Sequence, residues 1–153
     1  MDSLLEKEVA LDALMPLIRE ALDQGRSVRF SPRGTSMLPL IRQGRDQVTL
    51  SPLPKTLKKY DLPLYRRENG QYVLHRIIKA GDTFTCLGDN QFTPEHSLRR
   101  EQMIALVTAL HRDGKEIPVT SLPYRLFCRV WHWSRPVRRI WRFGKRLLRR
   151  LLP

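Results

Sequence analysis

The chain has 153 residues, enough for one domain with a real core, and carries a formal charge of +13 from 28 basic and 15 acidic residues. Tyr124 to Pro153 holds ten of the basic residues and no acidic one; removing those ten leaves 18 basic against 15 acidic, a net +3. A nearly balanced body argues against a nucleic-acid surface spread over the whole fold and assigns the charge to a C-terminal appendage, while two cysteines at this spacing exclude a disulfide framework or a metal motif.

Residues 3–24 read as an amphipathic helix. Ser3 and Glu6 fit a capping box, Leu11, Leu14, Met15, Ile18 and Leu22 share one face, and Gly25 ends the pattern. Pro16 lies inside it and is expected to kink or split the helix. Asp2, Glu6, Lys7 and Glu8 do not follow the basic-then-apolar order of a secretory signal, and no run of about 18 apolar residues follows. The body is therefore expected in the cytoplasm.

From residue 28 short strands replace the helical period: 28–30, 47–50, 62–66, 71–79, 83–87, 103–110 and 115–119. Glu68-Asn69-Gly70, Ala80-Gly81-Asp82 and Asp113-Gly114 supply hairpin turns between them. The pattern predicts a mainly β fold, a small antiparallel, coiled or barrel-like sheet with an N-terminal helix. Three segments follow: the helix over 1–25, a sheet domain over 26–120, and a basic tail over 121–153.

Two strand-like runs bracket Arg33-Gly34-Thr35-Ser36-Met37-Leu38-Pro39, which sets a serine after a glycine that tolerates unusual dihedrals. Such a heptad is ordinary turn chemistry, and Met37 to Ile41 also reads as plain core. A serine becomes a nucleophile only when a base takes its proton. His75 is the candidate base, sharing a strand face with Val73 and Ile77, in surroundings that disfavour the imidazolium and keep the ring neutral. Backbone N–H groups around Ser36 can serve as an oxyanion hole.

The segments Gly34-Thr35-Ser36-Met37-Leu38-Pro39, Gly44-Arg45-Asp46-Gln47-Val48, Tyr72-Val73-Leu74-His75-Arg76-Ile77-Ile78 and Cys86-Leu87-Gly88-Asp89-Asn90-Gln91 occur in that order. In this they resemble the signal peptidase I superfamily, in the serine–histidine branch found in endospore-forming bacteria, archaea and the endoplasmic reticulum. The resemblance covers roughly residues 26–108. It implies that Ser36 is the nucleophile and His75 the base, that Gly34, Thr35, Met37 and Pro39 form the substrate or oxyanion loop, that Asp89 supports the site through Arg76, and that a later acid orients the base. The chain departs from the pattern by placing Pro94 and Glu95 where an aspartate is usual, and Arg45 before Asp46. Glu95, one methylene longer, is the candidate orienting acid. No cofactor or metal is implied, and the expected substrate is an extended leader or signal-like peptide with small side chains near the cleaved bond. The oligomeric state is left open.

After Pro136 the tail is helical in period, with Val137, Ile140, Trp141, Gly144, Leu147, Leu148 and Leu151 on one face and Arg138, Arg139, Arg142, Lys145, Arg146, Arg149 and Arg150 around the other. Trp131, Trp133 and Trp141 are the three tryptophans of the chain. Indole favours the headgroup boundary and cations favour anionic lipid, so peripheral docking at the inner face of the cell membrane is expected through these tryptophans with Arg138, Arg142, Lys145 and Arg149. Nucleic acid is the second-ranked partner for the same helix. The rival to a peptidase is a non-catalytic protein that keeps the fold and binds membrane or nucleic acid. Self-cleavage of the repressor type ranks third.

Overall fold

The computed structural model describes residues 11–151. The part of the expected first helix before Leu11, including the Ser3/Glu6 capping box, lies outside them. The described part, α1 (Leu11–Asp23), runs through Pro16 without ending there and buries Met15, Ile18 and Leu22. It stops as the sequence requires: Gly25 takes φ +74°, its N–H donates to Leu22 O, and the N–H of Arg26 reaches back to Ala21 O. That pair of bonds satisfies the last carbonyls, and only glycine adopts the left-handed dihedral cheaply.

Among the described residues nine strands follow: β1 (Val28–Phe30), β2 (Asp46–Ser51), β3 (Pro63–Arg66), β4 (Tyr72–Leu74), β5 (Arg76–Ala80), β6 (Phe84–Leu87), β7 (Glu95–Leu98), β8 (Met103–Arg112) and β9 (Lys115–Pro118). All pairings are antiparallel. One six-stranded sheet has the order β1-β2-β8-β3-β4, with β9 also on β8, and a three-stranded sheet has the order β5-β6-β7. The fold is mainly β as expected, but the sheets do not close into a barrel.

The strand expected over 71–79 is divided. β4 ends at Leu74 in the large sheet, β5 begins at Arg76 in the small one, and His75 is the residue between them. Backbone bonds from Tyr60 N to Ile77 O and from Ile77 N to Asp61 O, each 2.8 Å, tie the new strand to the 60–61 turn at the crossing. The simple alternation of two faces does not hold there, since Val73, Leu74, His75, Arg76 and Ile77 are all buried.

Two apolar clusters fill the interior. Met15, Ile18, Met37, Leu40, Ile41, Val48, Leu50, Leu64 and Val107 pack between α1 and the large sheet, and Tyr65, Val73, Ile77, Phe84, Cys86, Leu98 and Met103 pack between the two sheets. The C-terminal segment is two helices, α2 (Leu122–Trp133) and α3 (Arg135–Leu151). α2 starts with Pro123 in its first turn and sets Tyr124 and Cys128, one turn apart, into the main core. The first helix of the basic tail is thus part of the packed body.

Candidate active site

The loop that carries the candidate nucleophile, Ser36, lies between β1 and β2. Gly34 has φ +89°, a region that disfavours any side chain, and its N–H donates to Gln43 Oε1 at 2.8 Å. Successive turns close with Leu38 N to Thr35 O at 3.2 Å and Ile41 N to Met37 O at 3.0 Å. Met37, Leu40 and Ile41 are buried and pin the loop from below, while Ser36 is half-buried and Gly34, Thr35 and Pro39 are exposed. The apolar run after Ser36 is therefore core, as its composition suggests, and that is what holds the serine in place. Gly34's N–H is occupied, so an oxyanion would have to be met by the N–H groups nearer Ser36.

His75, only 2% exposed, is held by acidic and phenolic neighbours. Glu95 reaches it because the register aligns Ile77 with Cys86 and Cys86 with Glu95 across β5, β6 and β7. The imidazole Nδ1 lies 3.1 Å from Glu95 Oε1 and 3.2 Å from Tyr65 Oη. An ionised carboxylate only accepts, so Nδ1 carries the proton and Nε2 keeps its lone pair. The Tyr65 phenol also favours the ionised form of the Glu95 carboxylate. Arg67 grips Glu95 with two bonds, Nε to Oε2 at 2.8 Å and Nη2 to Oε1.

The electrostatics keep His75 neutral and Glu95 charged. Burial holds His75 below the usual histidine value, with Glu95 offsetting part of the effect, so the ring is neutral at neutral pH. Burial on its own would raise Glu95, but the bonds from Arg67 and Tyr65 and the charge of Arg67 bring it below the ordinary carboxylate range. Burial, then the charge of Glu95, pushes the Tyr65 phenol above its usual value and keeps it protonated.

Ser36 and His75 line one cavity of about 220 Å³, with Arg67, Gln91 and Met37 among its other walls. Among the described residues no hydrogen bond joins the Ser36 hydroxyl to the imidazole. Such bonds commonly tighten only with substrate present.

Asp89 and Arg76 stand behind the pair rather than in it. Both are about 1% exposed, and Arg76 Nε and Nη2 donate to Asp89 Oδ1 and Oδ2, each at 2.8 Å. Arg76 Nη1 serves Tyr60 O at 3.0 Å, Tyr124 Oη at 3.1 Å and Cys128 Sγ at 3.0 Å. The Asp89 segment in turn grips the Ser36 loop. Asn90 N donates to Ser36 O at 2.8 Å and Asn90 Nδ2 to Thr35 O at 3.2 Å. A Cβ at Gly88 would sit 2.7 Å from Ser36 O, so this close approach admits only glycine.

The tail residues divide between support and exposure. Trp131, grouped by sequence with the membrane-facing tryptophans, is half-buried: its Nε1 donates to Asp89 O at 2.8 Å and its ring stacks on Phe127. Arg138 lies 3.7 Å from the Trp131 ring centroid and also donates to Asp89 O, and Arg142 donates to Asn90 O and Oδ1. Trp133 and Trp141 are 75% and 63% exposed. Lys145 and Arg149 are exposed on α3.

Sequence reading singled out Ser36, His75, Asp89, Arg76 and Glu95, and did not single out Tyr65, Arg67 or the anchoring roles of Tyr124 and Trp131. The Tyr124, Phe127, Cys128, Trp131 spacing is a helical stripe, a signal hidden by the surrounding arginines. Among the described residues no cluster of His, Cys, Asp or Glu is arranged to hold a metal, and no helix is long and apolar enough to cross a membrane. Scanned against protein-family models, curated proteins and solved structures, the chain matches none of them.

Proposed function

We propose that the chain is a serine endopeptidase of signal-peptidase type that cleaves a leader or signal-like peptide. The observation that carries this reading is the convergence of Ser36 and a neutral, Glu95-held His75 on one cavity. In the reaction, Nε2 of His75 takes the Ser36 hydroxyl proton as the oxygen attacks the scissile carbonyl. Backbone N–H groups of the loop hold the oxyanion, the imidazolium protonates the departing amine, and water, deprotonated by the same ring, releases the acyl group. Glu95 fixes the tautomer and steadies the imidazolium, while Arg76 and Asp89 keep the two halves in register.

The substrate strand adds to β4. This strand is an edge of the large sheet, and Gln71 to Leu74 line the cavity on the way to His75. Main-chain pairing there would lead an extended peptide past the base.

Docking at an anionic membrane surface through α3 completes the reading. Val137, Ile140, Leu147 and Leu148 are between 51% and 74% exposed on one face of a helix otherwise rich in arginine.

The test is incubation of wild type, Ser36→Ala and His75→Ala with candidate leader peptides in anionic liposomes, read by mass spectrometry. Either substitution is expected to lower turnover by about 10³-fold or more. Equal products from all three proteins would remove both residues from the chemistry and favour the non-catalytic reading.

A further inference from the structure

A groove of about 1020 Å³ runs between α3 and the segment Phe92 to Glu95. Its α3 wall presents Arg139, Arg142, Lys145, Arg146 and Arg149. Its one carboxylate, Glu95, is already gripped by Arg67. None of the five cations has a carboxylate partner among the described residues, and the chain contains no acidic residue after Glu116. Arg142 instead bonds the neutral Asn90. Behind the groove, burial is the main influence holding Arg138 below its usual value, with Arg135 and Arg142 adding to it and Asp89 opposing it.

The groove adjoins the catalytic cavity, because Arg67 and Gln91 are walls of both. We propose that it binds an acidic stretch of the peptide substrate, a segment in which glutamate or aspartate alternates with apolar side chains. The carboxylates would meet the α3 cations, and the apolar side chains would meet Phe92, Trp141 and Phe143, which share the groove. From Arg139 to Arg149 a helix rises about 15 Å, the span of roughly four or five extended residues. The field of clustered cations beside low-dielectric aromatic walls favours that charge sign. The inference rests on the endopeptidase reading for the identity of the chain being held.

The orientation of α3 favours a peptide over lipid as occupant. Val137, Ile140, Leu147 and Leu148 are not among the walls and stay exposed, so a bilayer would meet that apolar face. The cationic face looks across a channel, which an extended chain enters and a planar headgroup layer does not.

Binding is measured on the full-length Ser36→Ala protein by fluorescence anisotropy, with a fluorescein-labelled peptide of alternating glutamate and leucine and its glutamine counterpart. The glutamate peptide is expected to bind at least about tenfold more tightly, with a preference that falls as salt rises. The combined variant Lys145→Glu, Arg146→Glu, Arg149→Glu should abolish the preference. Lys79→Glu, an exposed change on β5 outside the groove, should keep it. Equal affinity for the two peptides, or a preference that survives the triple charge reversal, overturns the proposal. So does a triple variant that loses anionic vesicles or single-stranded RNA yet keeps the peptide preference. Tight, charge-dependent binding without cleavage by wild type would instead sink the peptidase reading and leave the groove assignment standing.

Discussion

Asn90 donates its backbone N–H to the carbonyl oxygen of Ser36 at 2.8 Å, so the segment that carries Asp89 also fixes the loop that carries the proposed nucleophile. His75 and Arg76 are neighbours in the chain, yet one is held by Glu95 and the other by Asp89. The site is a junction of two networks, one that holds His75 and one that sets the position of Ser36 relative to it.

Gly88→Ala should separate these networks. The new methyl group would meet Ser36 O at 2.7 Å and the Gln91 side chain at 2.9 Å; the side chain can move, but the backbone carbonyl must be displaced. Misplacement of a nucleophile by about 1 Å costs on the order of 10²-fold in rate. kcat/KM for a leader peptide should fall by about that factor while His75 keeps its partners. Activity within a few-fold of wild type would show that the loop tolerates the shift.

Glu95→Gln should lower kcat by about 10²–10⁴-fold, because an amide can donate to Nδ1 and so permit the tautomer with the proton on Nε2. The acidic limb of the wild-type pH–rate profile should inflect below the usual histidine value of 6.5, since burial is the largest influence on His75. Glu95 opposes that influence, so the inflection in the variant should lie lower still. An inflection that rises on removal of the carboxylate would contradict the arrangement.

The same residue contributes a pH dependence of stability. His75 binds a proton more readily unfolded than folded, because its folded-state value is depressed. The stabilisation is fully present above the unfolded value of about 6.5 and is lost as pH falls from there towards the folded value. Urea midpoints should therefore drop on acidification below about pH 6.5, and His75→Gln should flatten that slope. A slope unchanged by the substitution would assign the titration to other groups.

Asp89→Ala leaves the Arg76 guanidinium buried without its carboxylate. Removing one partner of a buried, hydrogen-bonded pair costs about 3–5 kcal/mol. Adding Arg76→Met should cost less than the sum of the two single changes, because the stranded charge leaves with it. Additive losses by urea denaturation would mean that the two side chains do not act as a unit.

On anionic vesicles the wild-type chain should float at physiological salt. Ile140→Ser with Leu148→Ser should return much of it to the soluble fraction, as each buried apolar side chain contributes about 1.5–3 kcal/mol. Trp131→Ala should instead lower the thermal midpoint, since its indole serves Asp89 O. Wild-type protein that stays unbound would end the membrane reading.

Much of this architecture was legible in the chain. Gly25, Gly70 and Asp113-Gly114 sit in turns where the residue types place them, and Ser36, His75 and Glu95 stood in an order that invited a shared site. The break at His75 was not legible, because apolar residues continue through it on both faces and only the long-range bonds between Ile77 and the 60–61 turn mark the change of sheet. β7 was missed because Glu95-His96-Ser97 is polar and Ser97 takes φ +58°. α2 was absorbed into a basic tail because Arg125 and Arg129 directly follow its two buried positions, Tyr124 and Cys128, and net charge hides a stripe that spacing reveals.

Arg76 Nη1 has three acceptors, and two of them, Tyr124 and Cys128, lie on α2, far along the chain from the strand that carries it. A shortened chain that stops after β9 would contain every residue assigned to chemistry and still be the wrong molecule. Its guanidinium would look onto solvent, and Asp89 O would lose the indole that holds it. The minimal intact unit is consequently set by what the helices brace, and any attempt to trim the basic segment for easier handling has to begin beyond Arg142.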